Sequence, residues 1–130
     1  MNQVNEVMIK DPILCTHDTR IAQIKYLMQK YDYDEIFVVD SDENKKPIGI
    51  IREEDLEAKT VEESPIPSDV SAEQCMKKIP AVVNEFSTVD DCLKLMDLNH
   101  MDKIPVIDGS GHCCGIVDKH EILKKAPHNW

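Results

Sequence analysis

The chain has 130 residues, the size of an ordinary single domain, and its composition of 42% hydrophobic and 31% charged residues is that of a soluble globular protein. A net charge of −10 disfavours nucleic-acid binding, because a long acidic surface repels a phosphate backbone. The longest apolar runs are only strand-length, so no membrane span is predicted, and five cysteines without a CxxC pair indicate free thiols in a cytoplasmic location.

In the first half of the chain, helix and strand patterns alternate. Residues 2–8 predict a short helix or lead-in, and a short strand at residues 13–15 follows. Thr19 offers an N-cap for a helix whose apolar residues, from Ile21 to Tyr31, share one face. Two strands are then predicted, at residues 35–40 and 47–51, separated by a polar turn. An acidic helix start at residues 52–58 ends this half.

The second half shows the same order of elements. A helix is predicted at residues 72–77 and a strand at 81–83. Ser87 is the expected N-cap of the next helix, with Asp90 as its capping-box partner. The remaining elements, in chain order, are strands at residues 103–108 and 112–117 and a closing helix at 118–125.

The two halves are an internal repeat. Nine residues between positions 7 and 40 recur 68 positions later, and Gly49-Ile50 recurs as Gly115-Ile116 after a shorter turn. The expected organisation is repeat 1 with its lead-in at residues 1–59, an extended linker at 60–71, repeat 2 at 72–126 and a tail at 127–130. Each half alone would have a marginal core, so the halves are expected to share one buried interface.

A strand–helix–strand–strand–helix unit given twice, with D-x-I-P-V-I-D at residues 102–108 and G-I-V at 115–117, resembles the CBS domain, named for cystathionine β-synthase. The resemblance covers residues 7–56 and 75–123. It implies an α+β fold in which two β-α-β-β-α CBS repeats pack as a pseudo-twofold pair, a Bateman-type module, leaving two clefts. It also implies a homodimer. Many members of the family bind adenosine-containing ligands in these clefts and regulate an attached or partner protein.

The family's ligand motif is G-h-x-[ST]-x-x-D, in which the aspartate accepts hydrogen bonds from the ribose hydroxyls and the Ser/Thr faces the phosphate. In repeat 1 the motif reads G-I-I-R-E-E-D at residues 49–55, so Asp55 is present and Arg52 replaces the Ser/Thr. In repeat 2 it reads G-I-V-D-K-H-E at residues 115–121, with Glu121 in place of the aspartate and Asp118 opposing a phosphate. Repeat 1 is therefore the better nucleotide candidate. In repeat 2, Lys119, His120 and Lys103 are the residues expected to compensate for Asp118.

The predicted ligand site combines the motif with apolar strand residues that would surround an adenine. Each part also has a plainer explanation: first-turn carboxylates stabilise helix dipoles, Arg52 would be a solvated surface side chain, and the glycines would sit where the sheet is tight. The residues of the predicted site are Asp55, Arg52, Gly49, Ile50, Ile51, Ile13, Leu14, Ile36, Val38, Lys103 and Glu121.

The leading hypothesis is a regulatory module that senses AMP, ADP, ATP or S-adenosylmethionine, acts on an effector protein not identified by the sequence, and requires no cofactor. The alternative is a dimerisation or interaction scaffold whose nucleotide clefts are vestigial. A third, minor hypothesis is a thiol or metal sensor at His112, Cys113 and Cys114, although neighbouring strand residues point to opposite faces. No catalytic motif is present, so the chain is not expected to be an enzyme.

Overall fold

The computed structural model describes residues 2–57, 67 and 69–125. The fold is α+β, as predicted. The chain forms two compact units: unit 1 combines Met1–Pro12 with Pro80–Trp130, and unit 2 is Ile13–Ile79. Most of the predicted linker and the whole predicted tail at residues 127–130 lie outside the described residues.

The chain begins in unit 1 with helix α1 (Val4–Val7) and strand β1 (Ile9–Lys10). It then forms unit 2, whose elements in chain order are β2 (Leu14–Thr16), α2 (Ile21–Tyr31), β3 (Glu35–Val39), β4 (Pro47–Arg52), α3 (Glu53–Leu56) and α4 (Ala72–Cys75).

Unit 2 is a three-stranded sheet with its helices. Strand β3 is central, parallel to β2 and antiparallel to β4. The apolar face of α2 packs into the core because Ile21, Ile24 and Met28 recur at helical spacing and are buried. The buried residues of this core are Cys15, Ile21, Ile24, Met28, Ile36, Val38, Ile51, Leu56 and Ala72.

Unit 1 continues after Pro80 and contains a four-stranded sheet of order β1-β7-β6-β5. Its β1 is antiparallel to β7, with Ile9 opposite Ile116. The further elements of unit 1, in chain order, are β5 (Val83–Asn84), α5 (Val89–Leu98), β6 (Lys103–Ile107), β7 (Cys113–Asp118) and α6 (Lys119–Lys125).

The compact units and the sequence repeats divide the chain at different places. The lead-in of the first half, with α1 and β1, belongs to the unit that contains the second half's strands. The lead-in of the second half, with α4, belongs to the unit built from the first half, where Lys77 forms an antiparallel bridge to Ile50. The physical reason is strand pairing, because each lead-in hydrogen-bonds to the last strand of a sheet formed by the other half.

Both predicted helix caps lie one residue before the true ones. Helix α2 has Arg20 as its N-cap, and the Thr19 hydroxyl instead accepts a hydrogen bond from the Thr16 amide at 3.0 Å. Helix α5 is capped by Thr88 and not by Ser87, since the Thr88 hydroxyl accepts from the Asp91 amide at 3.1 Å.

Among the described residues no helix is both long enough and apolar enough to cross a membrane.

Candidate functional site

The motif glycines lie against methionines of the lead-in segments. A Cβ added at Gly49 would lie 2.8 Å from Cγ and 2.9 Å from Cβ of Met76. A Cβ at Gly115 would lie 2.6 Å from Sδ of Met8. These methionines recur with the glycines in the sequence repeat, so the same packing is present in both units. The glycines therefore allow a methionine side chain to approach the strand, which supports the tight-sheet explanation for them.

The carboxylate of Asp55 lies at the junction of β4 and α3. Strand β4 runs directly into the helix, and Asp55 occupies its third position. The Asp55 side chain is only 13% exposed and accepts a hydrogen bond from Nζ of Lys77 at 3.0 Å, while the Lys77 side chain is 61% exposed. An ion pair with so exposed a partner contributes about 0.2–1 kcal/mol, so it orients the carboxylate but is easily opened.

Lys77 is the residue of this site that the sequence did not reveal. Its backbone is fixed beside the motif, since its amide donates to the Ile50 carbonyl and its carbonyl accepts from the Ile50 amide, both at 2.9 Å. An isolated bridge between two single residues, such as Lys77 and Ile50, produces no periodic pattern in the sequence. The sequence signal that could have drawn attention to Lys77 is the repeat, which aligns this charged residue with the apolar Ile9 of the first half.

Arg52 also has a partner within the chain. Its Nε lies 3.4 Å from a carboxylate oxygen of Glu35, which is directly opposite it in the β3–β4 register. The Arg52 side chain is 31% exposed and that of Glu35 only 12%. Arg52 is therefore neither a freely solvated surface arginine nor an uncommitted phosphate ligand, because a cross-strand carboxylate already holds its charge.

Most of the apolar residues predicted to surround an adenine belong to the hydrophobic core. Ile36, Val38 and Ile51 are at most 1% exposed and pack in the core of unit 2. Ile50 is equally buried, and it points to the other sheet face because it neighbours Ile51 in β4. The expectation that the Ile36 and Val38 side chains line a ligand site is therefore corrected: core burial leaves them no surface that a ligand could touch. The half-buried Ile13 and Leu14 do retain surface.

The remaining predicted residues, Lys103 and Glu121, lie in unit 1, and both are half-buried. Asp118 precedes α6 and accepts hydrogen bonds from the amides of His120 at 2.9 Å and Glu121 at 3.4 Å. That is the bonding pattern of a helix N-cap. The acidic residue that stands for Ser/Thr in the second motif therefore has a structural role.

A cavity of about 430 Å³ lies in unit 2 between α2 and α3. Its lining combines apolar side chains with acidic, basic and amide side chains. None of the predicted site residues contributes to it. The lining residues are Lys25, Met28, Gln29, Asp32, Tyr33, Glu53, Leu56 and Glu57.

The cysteines are free thiols. Burial raises the pKa of Cys15 to about 12 and that of Cys92 to about 11, so both are protonated and unreactive at neutral pH. Burial also raises the pKa of the half-buried Cys114 thiol, and its neighbour Cys113 is buried in β7. Within residues 2–57, 67 and 69–125, no three His, Cys, Asp or Glu side chains are grouped so that they could hold a metal ion.

Comparison with known families matches the CBS domain model twice, at residues 4–59 and 68–128. The chain belongs to the CBS domain family and contains a tandem pair of these domains. This confirms the resemblance inferred from the repeated motifs.

Similar proteins match nearly all of this chain but differ in how much of their own length the match covers. An uncharacterised protein of Methanopyrus kandleri is 31% identical over 96% of this chain and 63% of its own length. The inosine-5′-monophosphate dehydrogenase of Methanocaldococcus jannaschii is 26% identical over 96% of this chain but only 24% of the enzyme, and this match covers only the CBS part of that enzyme. The structure of CBSX2, a protein of Arabidopsis thaliana, in complex with AMP matches this chain with a TM-score of 0.78 and 18% sequence identity. The match covers 98% of this chain and 97% of the CBSX2 chain.

Proposed function

We propose that this CBS pair is a regulatory module that senses an adenosine-containing ligand, AMP, ADP, ATP or S-adenosylmethionine, at the first-repeat motif. The observation that carries the proposal is the Asp55 carboxylate in α3, the helix that follows β4. This carboxylate is mostly shielded from water and is oriented by Lys77. A carboxylate held in this way is suited to accept hydrogen bonds from two neighbouring hydroxyls, as a ribose presents them. The AMP complex of CBSX2, a protein of the same fold, adds support.

Each remaining part of the proposed site has an assigned role. The backbone of β4 from Gly49 to Ile51 lies beside the ligand, and Ile13 and Leu14 contact the adenine. Arg52 meets a phosphate after release from Glu35. In the second motif, Lys103 lies opposite Asp118 in the β6–β7 register and is the cation that compensates for it. Glu121 holds the equivalent position in the second motif, where the Asp118 cap opposes a phosphate.

The output of the module is exerted on another protein. We propose that the chain is itself non-catalytic, cytoplasmic and homodimeric, needs no cofactor, and acts on an effector that responds to its ligand state. A ligand shifts such a module only through different affinities for two arrangements of it.

The proposal is tested by a thermal-shift and calorimetry panel of AMP, ADP, ATP and S-adenosylmethionine on wild type and Asp55→Ala. A ligand at a hundred times its Kd stabilises by about 2.7 kcal/mol, which raises Tm on the order of 10 °C at this chain length. We expect one ligand to give this shift and Asp55→Ala to abolish it.

The matched control is Glu54→Ala, which removes the same charge from the same helical turn at an exposed position. Retained binding by that variant shows that the Asp55 effect is local. A panel without any shift at millimolar ligand contradicts the proposal, and so does equal loss in both variants.

A second candidate function, an interaction scaffold with vestigial clefts, is favoured by one specific observation. Two cations beside the first motif are already paired within the chain, Arg52 with Glu35 and Lys77 with Asp55. Exposed Tyr26 and Leu98, 55% and 77% accessible, offer apolar contacts for a partner. Sedimentation measurements would support this function if the chain dimerised in the absence of ligand while the nucleotide panel stayed flat.

A further inference from the structure

We propose that Lys77 is the phosphate-specificity residue of the first-repeat site: it holds Asp55 when the site is empty and turns to the ligand's phosphate when a ribose occupies Asp55. This inference rests on the proposed function and adds the chemical class that the site selects, a phosphorylated adenosine over the unphosphorylated nucleoside.

The first argument is geometric. The Lys77 backbone is anchored by its two hydrogen bonds to Ile50, so its position beside the motif is fixed. Its side chain is 61% exposed and contacts Asp55 through the ammonium at 3.0 Å. A lysine ammonium has three donors on a flexible stem, so it can leave the carboxylate and donate to a phosphate next to the ribose.

The second argument concerns charge. Helix α3 begins with Glu53, Glu54 and Asp55, so a phosphate at this junction meets a negative field. Of the two cations described above, Arg52 is the less exposed and is held by a cross-strand carboxylate. The more exposed Lys77 therefore moves more easily than Arg52 to neutralise a phosphate.

The third argument comes from the repeat. Ile9 occupies the position of Lys77 in unit 1 and pairs with Ile116 in β7 as Lys77 pairs with Ile50. An isoleucine side chain cannot donate a hydrogen bond to a carboxylate, and the second motif has Glu121 where the first has Asp55. The lysine and the aspartate thus occur together in one copy of the repeat and are both replaced in the other.

The test compares AMP and adenosine by isothermal titration calorimetry on wild type, Lys77→Met and Lys77→Arg. We expect wild type to bind AMP at least about tenfold more tightly than adenosine, as a charge-assisted hydrogen bond would give. Because Arg52 still meets the phosphate, Lys77→Met is expected to reduce this preference by at least about threefold, through weaker AMP binding alone. Lys77→Arg is expected to retain most of the preference. Lys78→Met is the matched control, because it removes an exposed neighbouring lysine and should leave the preference unchanged.

Circular dichroism of each variant confirms that it is folded. An undiminished preference for AMP in folded Lys77→Met, with binding still dependent on Asp55, overturns the role of Lys77 and leaves the proposed function intact. A wild type that binds AMP no more tightly than adenosine overturns the role of Lys77. If it also fails to bind ADP, ATP and S-adenosylmethionine, the proposed function is overturned as well.

Discussion

The contact between Gly49 and Met76 makes a prediction that separates packing from ligand binding as the reason for a glycine in this motif. In Gly49→Ala the new methyl would lie 2.8 Å from Cγ and 2.9 Å from Cβ of Met76. Both distances are too short for carbon atoms in contact. Met76 cannot easily withdraw, because its amide donates to the Ala72 carbonyl at 2.8 Å and the next residue is paired with Ile50.

The expected size of the effect follows from these contacts. Overpacking of this kind costs about 1–3 kcal/mol. Replacing glycine by alanine also stabilises the folded state by up to about 1 kcal/mol, because it lowers the conformational entropy of the unfolded chain. We therefore expect a net loss of about 1–2 kcal/mol, which lowers Tm by about 3–10 °C at this chain length.

Urea denaturation followed by circular dichroism measures the loss, with Gly109→Ala as the control. A Cβ at Gly109 would meet no atom within 4 Å, so that variant should be as stable as wild type or more stable by up to about 1 kcal/mol. In the double variant Gly49→Ala/Met76→Ala, the Cγ and Sδ contacts are gone. Its loss of stability should be smaller than the sum of the two single losses by about 1 kcal/mol.

The packing explanation is refuted if Gly49→Ala is as stable as Gly109→Ala, or if the two single losses simply add. Unchanged stability together with weakened nucleotide binding would instead indicate that the glycine serves the ligand.

Two further predictions concern local hydrogen bonds. Thr88→Ala should destabilise the protein by about 0.5–2 kcal/mol, because the α5 cap is lost. Ser87→Ala should change the urea midpoint little. A larger effect of Ser87→Ala than of Thr88→Ala would contradict the assigned cap. Hydrogen bonds from the Asn44 side chain and the Lys46 and Ser41 amides hold the pKa of Asp40 below its ordinary value of 3.8. A carboxyl with a lowered folded-state pKa stabilises the protein above its unfolded-state pKa, and this stabilisation is lost as the pH falls through the folded-state pKa. In urea titrations between about pH 5 and pH 2.5, wild type should therefore lose more stability than Asp40→Asn. Equal losses in the two proteins would contradict this role of Asp40.

The long periodic elements could be predicted from the sequence because their signals are redundant. The face of α2 is carried by several apolar residues, and β3 is a compact run of β-branched and aromatic side chains, so one misread residue changes neither. Tyr31 illustrates the limit: it continues the apolar spacing of α2 but is 42% exposed at the end of the helix. The caps were misplaced by one residue because adjacent threonines, serines and arginines compete for the same position and backbone angles decide among them.

The candidate site was less accessible to sequence reasoning. The motif pointed to Asp55 and Gly49, but the atoms that meet them belong to Lys77 and Met76, which lie more than twenty positions later in the chain. Such contacts arise from single-residue strand pairing, which has no periodic signal. The apolar residues of β3 were assigned to a ligand because a buried strand and a cleft-lining strand have the same composition. Only the three-dimensional packing separates the two.

The placement of the lead-in segments sets the order in which the chain can fold as it leaves the ribosome. Unit 2 is continuous in sequence, so it can form before residues 80–130 have left the ribosome. Unit 1 needs Ile9 to pair with Ile116, and its sheet must wait until β7 has emerged. Until then, β1 remains without its partner strand. Contacts between such distant residues form slowly, so completion of unit 1 should limit the rate of biosynthetic folding.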